Sequence, residues 1–287
     1  MTWLAVLAIL AGAACTPRAR PSADRAAPSR IAQLDGIVRL EPARWVDAYT
    51  SPGGEERARQ LQELTDGAIE YWSAPLGGGV HIVLAVLDEH DWKASTDDPY
   101  GFPHGNRGDP WIIYMPSVPM RSVVVDAMAP IAGNTRAVTM LDNIAVHEIG
   151  HAIAVERMYG PDPQPSVRWF DELIATYLAY AYLRTRAPER AIAWDEVTEL
   201  VLAGTRPEHT SLGDFEHGRF AGPADYTWYE LAFSRRVQAL YARQGDAAIT
   251  ALKARLPWSR QNHWSSIELL GLLEPITPGF QAWAQSL

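Results

Sequence analysis

The chain has 287 residues, of which 47% are hydrophobic and 21% charged, as is usual for a globular protein with a substantial core. Its formal net charge of -9 lacks the basic excess with which nucleic-acid-binding proteins contact phosphates, so a nucleic-acid partner is not expected. One cysteine cannot form a disulfide within the chain, which leaves the core, with or without a metal ion, to hold the fold.

The N-terminus carries an apolar run that ends at the cysteine. The run extends from Trp3 to Ala14 and is shorter than an ordinary membrane-spanning helix requires. Small residues before the lone Cys15 resemble the lipobox of bacterial lipoproteins. This resemblance implies a signal peptide over residues 1–15, lipidation of Cys15 and attachment to a membrane on the periplasmic side of the cell envelope. An ordinary secretory signal, cleaved nearby, is the alternative.

The next segments are predicted from their composition and spacing. Residues 16–30 contain three prolines among Arg, Ala and Ser, which predicts a disordered linker. Residues 31–136 are predicted to form a small β-rich lobe with at least one helix. Its predicted elements are a helix over Glu55–Trp72, strands over Val80–Leu87, Trp111–Met115 and Ser122–Ala127, and a loop over Asp88–Pro110.

The remaining part, residues 137–287, is predicted to be mostly helical. The predicted helices are Ala137–Met158, Val167–Arg184, Ile192–Ala203, Tyr226–Arg243, Ala247–Leu256 and Ile267–Leu273. Strands first and helices afterwards predict an α+β fold, in which the β-rich lobe packs on the helical lobe around a shared cleft.

The first of these helices contains the sequence His-Glu-Ile-Gly-His at residues 147–151. His147 and His151 are four residues apart, so both imidazoles project on one side of a helix and can reach one metal ion. A catalytic zinc site takes three protein ligands and leaves one position for water. Glu148 lies beside the pair and can take a proton from that water, which predicts it as the general base. Gly150 allows another backbone to pack closely.

A second motif follows on the next predicted helix. The segment Trp169–Tyr177 has the pattern Trp-x-x-Glu-x-x-Ala-x-Tyr, with Glu172 far enough from the histidines for the chain to turn and return. The two motifs together resemble the gluzincin clan of metallopeptidases, most closely the aminopeptidase-type families and the peptidase MA-like domains, over about residues 138–245. The resemblance implies Glu172 as the third zinc ligand and a thermolysin-like active-site helix. Leu173 stands where these families usually have Gly.

Two neighbours of Glu172 are candidates for supporting roles. Asp171 competes as a metal ligand, but adjacent helical residues diverge by about 100°, so only one of the two carboxylates can face the histidines. Thr176 stands where thermolysin-like members have an Asp that holds a ligand histidine, and its hydroxyl is a weaker partner for that role.

Hydrolysis of a peptide bond also needs a hydrogen-bond donor to the oxyanion that develops in the transition state. The resemblance implies a tyrosine on a later helix, and Tyr229, followed three residues on by Ala232, is the first candidate; Tyr226, one turn earlier, is the rival. The thermolysin-like alternatives are His209 and His217. The predicted loop before the zinc motif contains His90, His104 and Asp109, which can line the cleft or bind an accessory ion. Solvation of these residues at the surface is the simpler interpretation.

The sequence therefore predicts a zinc-dependent metallopeptidase with one Zn²⁺, acting on peptide or protein substrates in the cell envelope or outside the cell. The Gly-x-Met-x-Asn motif that aminopeptidases carry before the zinc motif is absent, which disfavours a true aminopeptidase. The alternative is a catalytically inactive envelope lipoprotein that is stabilised by its metal and acts as a binding or assembly factor.

Overall fold

A computed structural model of the chain describes residues 30–108, 110–159, 167–204, 207–219, 223–256 and 264–287. The predicted signal peptide with Cys15 and nearly all of the predicted linker lie outside these residues, as does Asp109. Arg30, at the end of that linker, begins a short 3-10 turn, Arg30–Gln33.

Five strands form a single mixed sheet. They are β1 (Val38–Arg39), β2 (Val46–Thr50), β3 (Ile82–Leu87), β4 (His104–Asn106) and β5 (Trp111–Pro116), in the spatial order β1-β2-β3-β5-β4. The inner strands β2, β3 and β5 are parallel, with Leu84 of β3 opposite Ala48 and Ile113, and both edge strands are antiparallel to their neighbours. All six residues of β3 are buried, as expected for a central parallel strand covered on both faces.

Helices α1 (Glu55–Leu76) and α2 (Glu89–Ser95) connect the strands. The predicted helix over Glu55–Trp72 is confirmed, and it runs one turn further to Gly77, whose left-handed backbone (φ 77°) ends it. The loop predicted for Asp88–Pro110 is wrong in part, because this stretch contains both α2 and β4. The Asp88 side chain accepts a hydrogen bond from the Asp91 backbone N–H and so begins α2.

Helix α3 (Val123–Ala132) replaces the strand predicted over Ser122–Ala127. The three consecutive valines favour a strand, but the Ser122 side chain accepts a hydrogen bond from the Val124 N–H and caps a helix. Val124 and Val125 are buried in this helix, so packing overrides the local strand preference.

Eight further helices make up the rest of the described chain. They are α4 (Asn134–Ile153), α5 (Arg168–Arg186), α6 (Pro188–Gly204), α7 (Leu212–Glu216), α8 (Pro223–Gln244), α9 (Ala247–Arg255), α10 (Ser266–Leu273) and α11 (Phe280–Ser286). A π-helical segment, Ala154–Met158, continues α4. All six helices predicted in this half are confirmed within a few residues, whereas the short α7 and α11 are not predicted.

The mixed α+β class is confirmed, and α4 lies at its centre. This helix packs against α1 and the strands β4 and β5 on one side and against α3, α5 and α6 on the other. Buried residues from one face of the sheet and from the helices belong to one large core, which includes Leu84, Ile113, Leu141 and Leu178. A smaller cluster lies on the other face of the sheet and consists of Ile31, Ala85, Leu87, Trp92 and Tyr114. Within the described ranges, no helix is both long and apolar enough to cross a membrane.

Candidate metal centre

The site forms where α4 and α5 pack with their backbones in close contact. A β-carbon placed on Gly150 would lie 2.5 Å from the Ala175 carbonyl oxygen and 2.8 Å from its Cα. No larger residue fits there unless one helix moves, so the prediction that Gly150 allows close backbone packing is confirmed. The contact brings Glu172, one turn before Thr176 on α5, opposite the histidines of α4.

The side chains of His147, His151 and Glu172 meet in a compact triangle. Glu172 Oε2 lies 3.1 Å from His147 Nε2 and 3.2 Å from His151 Nε2, and the two Nε2 atoms are 3.2 Å apart. An ion held tetrahedrally at about 2.0–2.1 Å separates its ligand atoms by about 3.3 Å. The triangle therefore fits one such ion, and two imidazole nitrogens with one carboxylate oxygen are donors that zinc accepts.

Thr176 determines how His147 presents its nitrogens. The Thr176 Oγ1 lies 3.2 Å from His147 Nδ1, and this threonine is buried. When Nδ1–H donates to the hydroxyl, the lone pair of His147 lies on Nε2, the nitrogen in the triangle. The structure thus places Thr176 beside one histidine of the triangle, in the supporting position that the sequence predicts for it.

The buried charges of the triangle depend on one another. Burial by itself lowers the pKa of His151, but the carboxylates around it, above all Glu172 with additions from Glu148 and Asp171, together raise that pKa to about 10. Burial also opposes ionisation of Glu172, yet the positive charge on His151 and hydrogen bonds from both histidines hold the Glu172 pKa below its usual range. A metal ion bound by these three groups would replace the protons that now hold them together.

Asp171 lies outside the triangle. Burial raises its pKa to about 7, against the opposing influence of His151 and a hydrogen bond from the Tyr159 hydroxyl. Of the two adjacent carboxylates, Glu172 faces both histidines, and Asp171 stays close enough to act on His151 only through its charge.

Glu148 lies next to the triangle and faces the edge strand β4. A β-carbon on Gly105 of β4 would lie 3.1 Å from Glu148 Oε2, so the strand passes directly beside this carboxylate. Glu148 is buried among the residues of α4 and lines a cavity that it shares with the metal triangle.

This cavity has a volume of about 160 Å³. Its polar part contains the triangle, Glu148 and Thr176. Its apolar wall comes chiefly from α3, α4 and α6, with the side chains of Val124, Ala127, Met128, Ile131, Met140, Ile144, Trp194 and Val201. The volume is close to that of a cavity that accepts one benzene molecule, so it can take one large apolar side chain.

The structure favours the rival tyrosine on α8. Tyr229 is fully buried, its hydroxyl donates to the Ser211 carbonyl oxygen at 2.8 Å, and it is not among the residues that line the cavity. Tyr226 does line the cavity, and its ring stacks on Phe215 at 5.9 Å between centroids. Of the two tyrosines that the sequence offers as oxyanion donors, Tyr226 therefore borders the cavity, whereas the turn of the helix directs Tyr229 into the core.

The cavity contains a further carboxylate, which the sequence motifs do not indicate. Glu230 lines the cavity one helical turn after Tyr226, whose hydroxyl hydrogen-bonds its carboxyl group. Burial, reinforced by the negative charge of Glu172, raises the Glu230 pKa well above its usual value. In the sequence, only the four-residue spacing from Tyr226 indicates that Glu230 lies on the same face of the helix. This spacing predicts a place in the cavity only once Tyr226 is known to face the cavity.

The remaining histidines divide into cavity and surface positions. His104 lines the cavity, stacks on Tyr114 at 4.7 Å and places its Nε2 3.3 Å from Asp98 Oδ2. His209 and His217 are not among the lining residues, and His217 Nδ1 contacts the Gly213 carbonyl at the surface.

His90 belongs to a second cluster that has enough ligand atoms for a cation. It lies with Asp88 and Asp91 at the start of α2, away from the cavity. Both aspartates already have structural contacts there, since Asp88 caps α2 and Asp91 accepts a hydrogen bond from the Ser51 hydroxyl. An accessory ion is not needed to explain the cluster.

No protein-family model and no curated protein sequence matches the chain. The class of site is therefore defined by its residues alone: a helix with two histidines and a glutamate, a second glutamate from the helix packed on it, and an adjoining cavity.

Proposed function

We propose that this chain is a zinc-dependent metallopeptidase of the gluzincin type, with a thermolysin-like active-site helix. The observation that carries the proposal is the triangle of His147 Nε2, His151 Nε2 and Glu172 Oε2, whose sides of 3.1–3.2 Å fit one tetrahedral ion. Bound zinc supplies Lewis acidity, which polarises a carbonyl group and acidifies water.

The protein's own residues supply the proton transfers. Glu148 accepts a proton from the water that attacks the scissile carbonyl carbon, and it then passes the proton to the leaving amine. Tyr226 lines the same cavity, and when the substrate binds, its hydroxyl turns from the Glu230 carboxyl group and donates its single proton in a hydrogen bond to the developing oxyanion. Thr176 keeps the His147 Nε2 lone pair directed at the ion.

A peptide is the substrate that the surroundings favour. Strand β4 is an edge strand of the sheet and passes beside Glu148, so an extended peptide can pair with it and present its carbonyl groups to the site. The apolar wall of the cavity then receives one side chain of that peptide.

The location of the reaction is part of the proposal. The apolar run before Cys15 supports a lipid-anchored protein on the periplasmic side of the bacterial envelope, or a secreted one. Labelling of expressing cells with a fatty-acid analogue tests this directly, because Cys15→Ser abolishes incorporation if the cysteine carries the lipid.

Metal analysis combined with peptide profiling tests the function. The purified protein is expected to contain one zinc ion per chain and to cleave members of a peptide library, and a chelator is expected to stop cleavage until zinc is added back. Stoichiometric zinc without any cleavage would instead identify the metal-stabilised binding or assembly factor. Absence of zinc would remove both possibilities.

A further inference from the structure

The cavity is lined by more carboxyl groups than one divalent ion can neutralise. Three carboxylates, from Glu148, Glu172 and Glu230, face the cavity, and among the described lining residues there is no lysine or arginine. A divalent ion offsets the charges of Glu148 and Glu172 but not that of an ionised Glu230, and burial disfavours ionisation of Glu230. A charged Glu230 in this largely apolar cavity is therefore stable only beside a further positive group.

Of the three carboxyl groups, that of Glu230 has the weakest compensation for a negative charge. Glu172 faces the ion, and Glu148 faces the position of the attacking water, whereas Glu230 stands on α8 and is not among the three residues whose donor atoms converge. Tyr226 hydrogen-bonds its carboxyl group, but the Oε1 atom is buried and has no hydrogen-bond partner within the described part of the chain. A carboxylate oxygen in this state is ready to accept a hydrogen bond from a ligand.

One cation of the protein, Arg168, acts on Glu230 from outside the lining of the cavity. The Arg168 guanidinium lies over the rings of Phe215 and Tyr226, at 5.0 and 5.5 Å, and is not among the residues that line the cavity. Its charge acts on Glu230 less than the opposing charge of Glu172 does. A molecule in the cavity can supply a positive group directly beside Glu230.

We propose that the Glu230 carboxylate binds a cationic nitrogen of the peptide substrate, either the α-ammonium group or the side-chain cation of a lysine or arginine near the scissile bond. This inference rests on the proposed peptidase function and adds its substrate class. The apolar wall formed by Met140, Ile144 and Leu231 contacts the aliphatic part of such a residue while its charged end pairs with Glu230.

The test uses the zinc-loaded protein and one synthetic decapeptide library in three forms. The first form has free N-termini, the second is N-acetylated, and the third is N-acetylated with methionine in place of every lysine and arginine. Wild type is expected to cleave the first form at least about 30-fold faster, in kcat/KM, than the third. A lower kcat/KM for the second form than for the first identifies the α-ammonium as the bound group. A lower kcat/KM for the third form alone identifies the side-chain cation.

Variants of Glu230 separate recognition from folding. Glu230→Gln is expected to remove the preference between the library forms while zinc content stays unchanged, and Glu230→Asp, which keeps the charge, is expected to restore part of it. The control Glu199→Gln changes an exposed glutamate of α6 that pairs with Arg235, and it is expected to retain the full preference. Equal cleavage of all three forms by wild type overturns the inference, as does a Glu230→Gln variant that keeps the preference or loses bound metal.

Retention of the same libraries on immobilised, zinc-loaded Glu148→Gln protein distinguishes this inference from the proposed function. Preferential retention of the cationic forms, lost in the Glu148→Gln/Glu230→Gln double variant, supports the role of Glu230 even if wild type cleaves nothing, in which case only the proposed hydrolysis fails. Cleavage without any charge preference leaves the peptidase intact and removes the role of Glu230.

Discussion

At the scale of single residues, the triangle depends on a carboxylate that burial alone would neutralise. Glu172 stays ionised because His151 and His147 lie 3.2 and 3.1 Å away, and each of the three groups holds the others in a geometry that suits a cation. The neighbouring Asp171 is just as close in sequence, yet it faces Tyr159 and takes no part in the triangle. Adjacent residues of one helix thus offer a matched pair for testing the assignment of ligands.

Glu172→Gln is expected to weaken zinc binding by more than about 100-fold, because it removes a charged ligand rather than a partner of a ligand. Asp171→Asn changes the adjacent carboxylate in the same way and is expected to cost about 10-fold or less. Competition with a zinc-binding dye measures both affinities. The reverse order of the two variants would show that Asp171, not Glu172, completes the site.

The two tyrosines of α8 offer a second matched pair. Tyr226→Phe is expected to lower kcat about 100-fold with zinc content unchanged, because it removes the donor to the oxyanion. Tyr229→Phe removes the hydrogen bond to the Ser211 carbonyl and is expected to reduce the free energy of unfolding by about 1 kcal/mol while activity remains. Steady-state kinetics and denaturant unfolding are measured for both variants, and loss of turnover in the Tyr229 variant alone would show that Tyr229 is the oxyanion donor.

The site roles of some of these residues can be predicted from the sequence, and those of others cannot. The pair of histidines is readable because i, i+4 spacing on a helix is a local property. Tyr226 and Glu230 are not readable in this way, since the face of α8 that borders the cavity is set by packing against α5 and α6. Tyr229 matches the family pattern and still points into the core, because that pattern carries no information on how this helix is rotated.

At the scale of elements, the contact of α4 with α5 determines whether the ligands can converge. The backbone at Ala175 lies so close to Gly150 that a methyl group cannot be added without movement of one helix. The site is therefore sensitive to a change that leaves every ligand in place.

Gly150→Ala is expected to reduce the free energy of unfolding by about 1–3 kcal/mol and to weaken zinc binding, because overpacking outweighs the better helix propensity of alanine. Gly271→Ala is the control: this glycine also lies in a helix, and nothing stands within 4 Å of the added methyl group. The control is expected to be neutral or stabilising by up to about 1 kcal/mol. Chemical denaturation and zinc titration compare the two, and a Gly150→Ala protein as stable as wild type would contradict the close packing.

Most elements follow from local pattern, and the exceptions have physical causes. The long helices have periodic apolar faces and are predicted within a few residues. The valines at 123–125 favour a strand, but the Ser122 cap and burial against the core make them the first turn of α3. Strand β4 has three residues and a glycine at its centre, so its membership in the sheet depends on pairing with β5, which local sequence does not reveal.

At the scale of the whole molecule, the site draws on both halves of the chain. The metal triangle belongs to α4 and α5, but the cavity beside it is closed by α3 and bordered by His104 of β4, which come from residues assigned to the β-rich lobe. The larger of the two hydrophobic clusters joins one face of the sheet to the helices. The order of strands and helices is predictable from sequence, whereas the cavity between them is a product of tertiary packing.

The central claim is that Glu148 acts as a base on water at a zinc site, and replacement of this residue tests it most directly. Zinc content and peptide hydrolysis are measured for wild type, Glu148→Gln and the control Glu156→Gln, an exposed glutamate just beyond the same helix. We expect one zinc ion per chain in all three, with hydrolysis reduced at least about 100-fold in Glu148→Gln alone. Full hydrolysis by the Glu148→Gln protein would contradict the account.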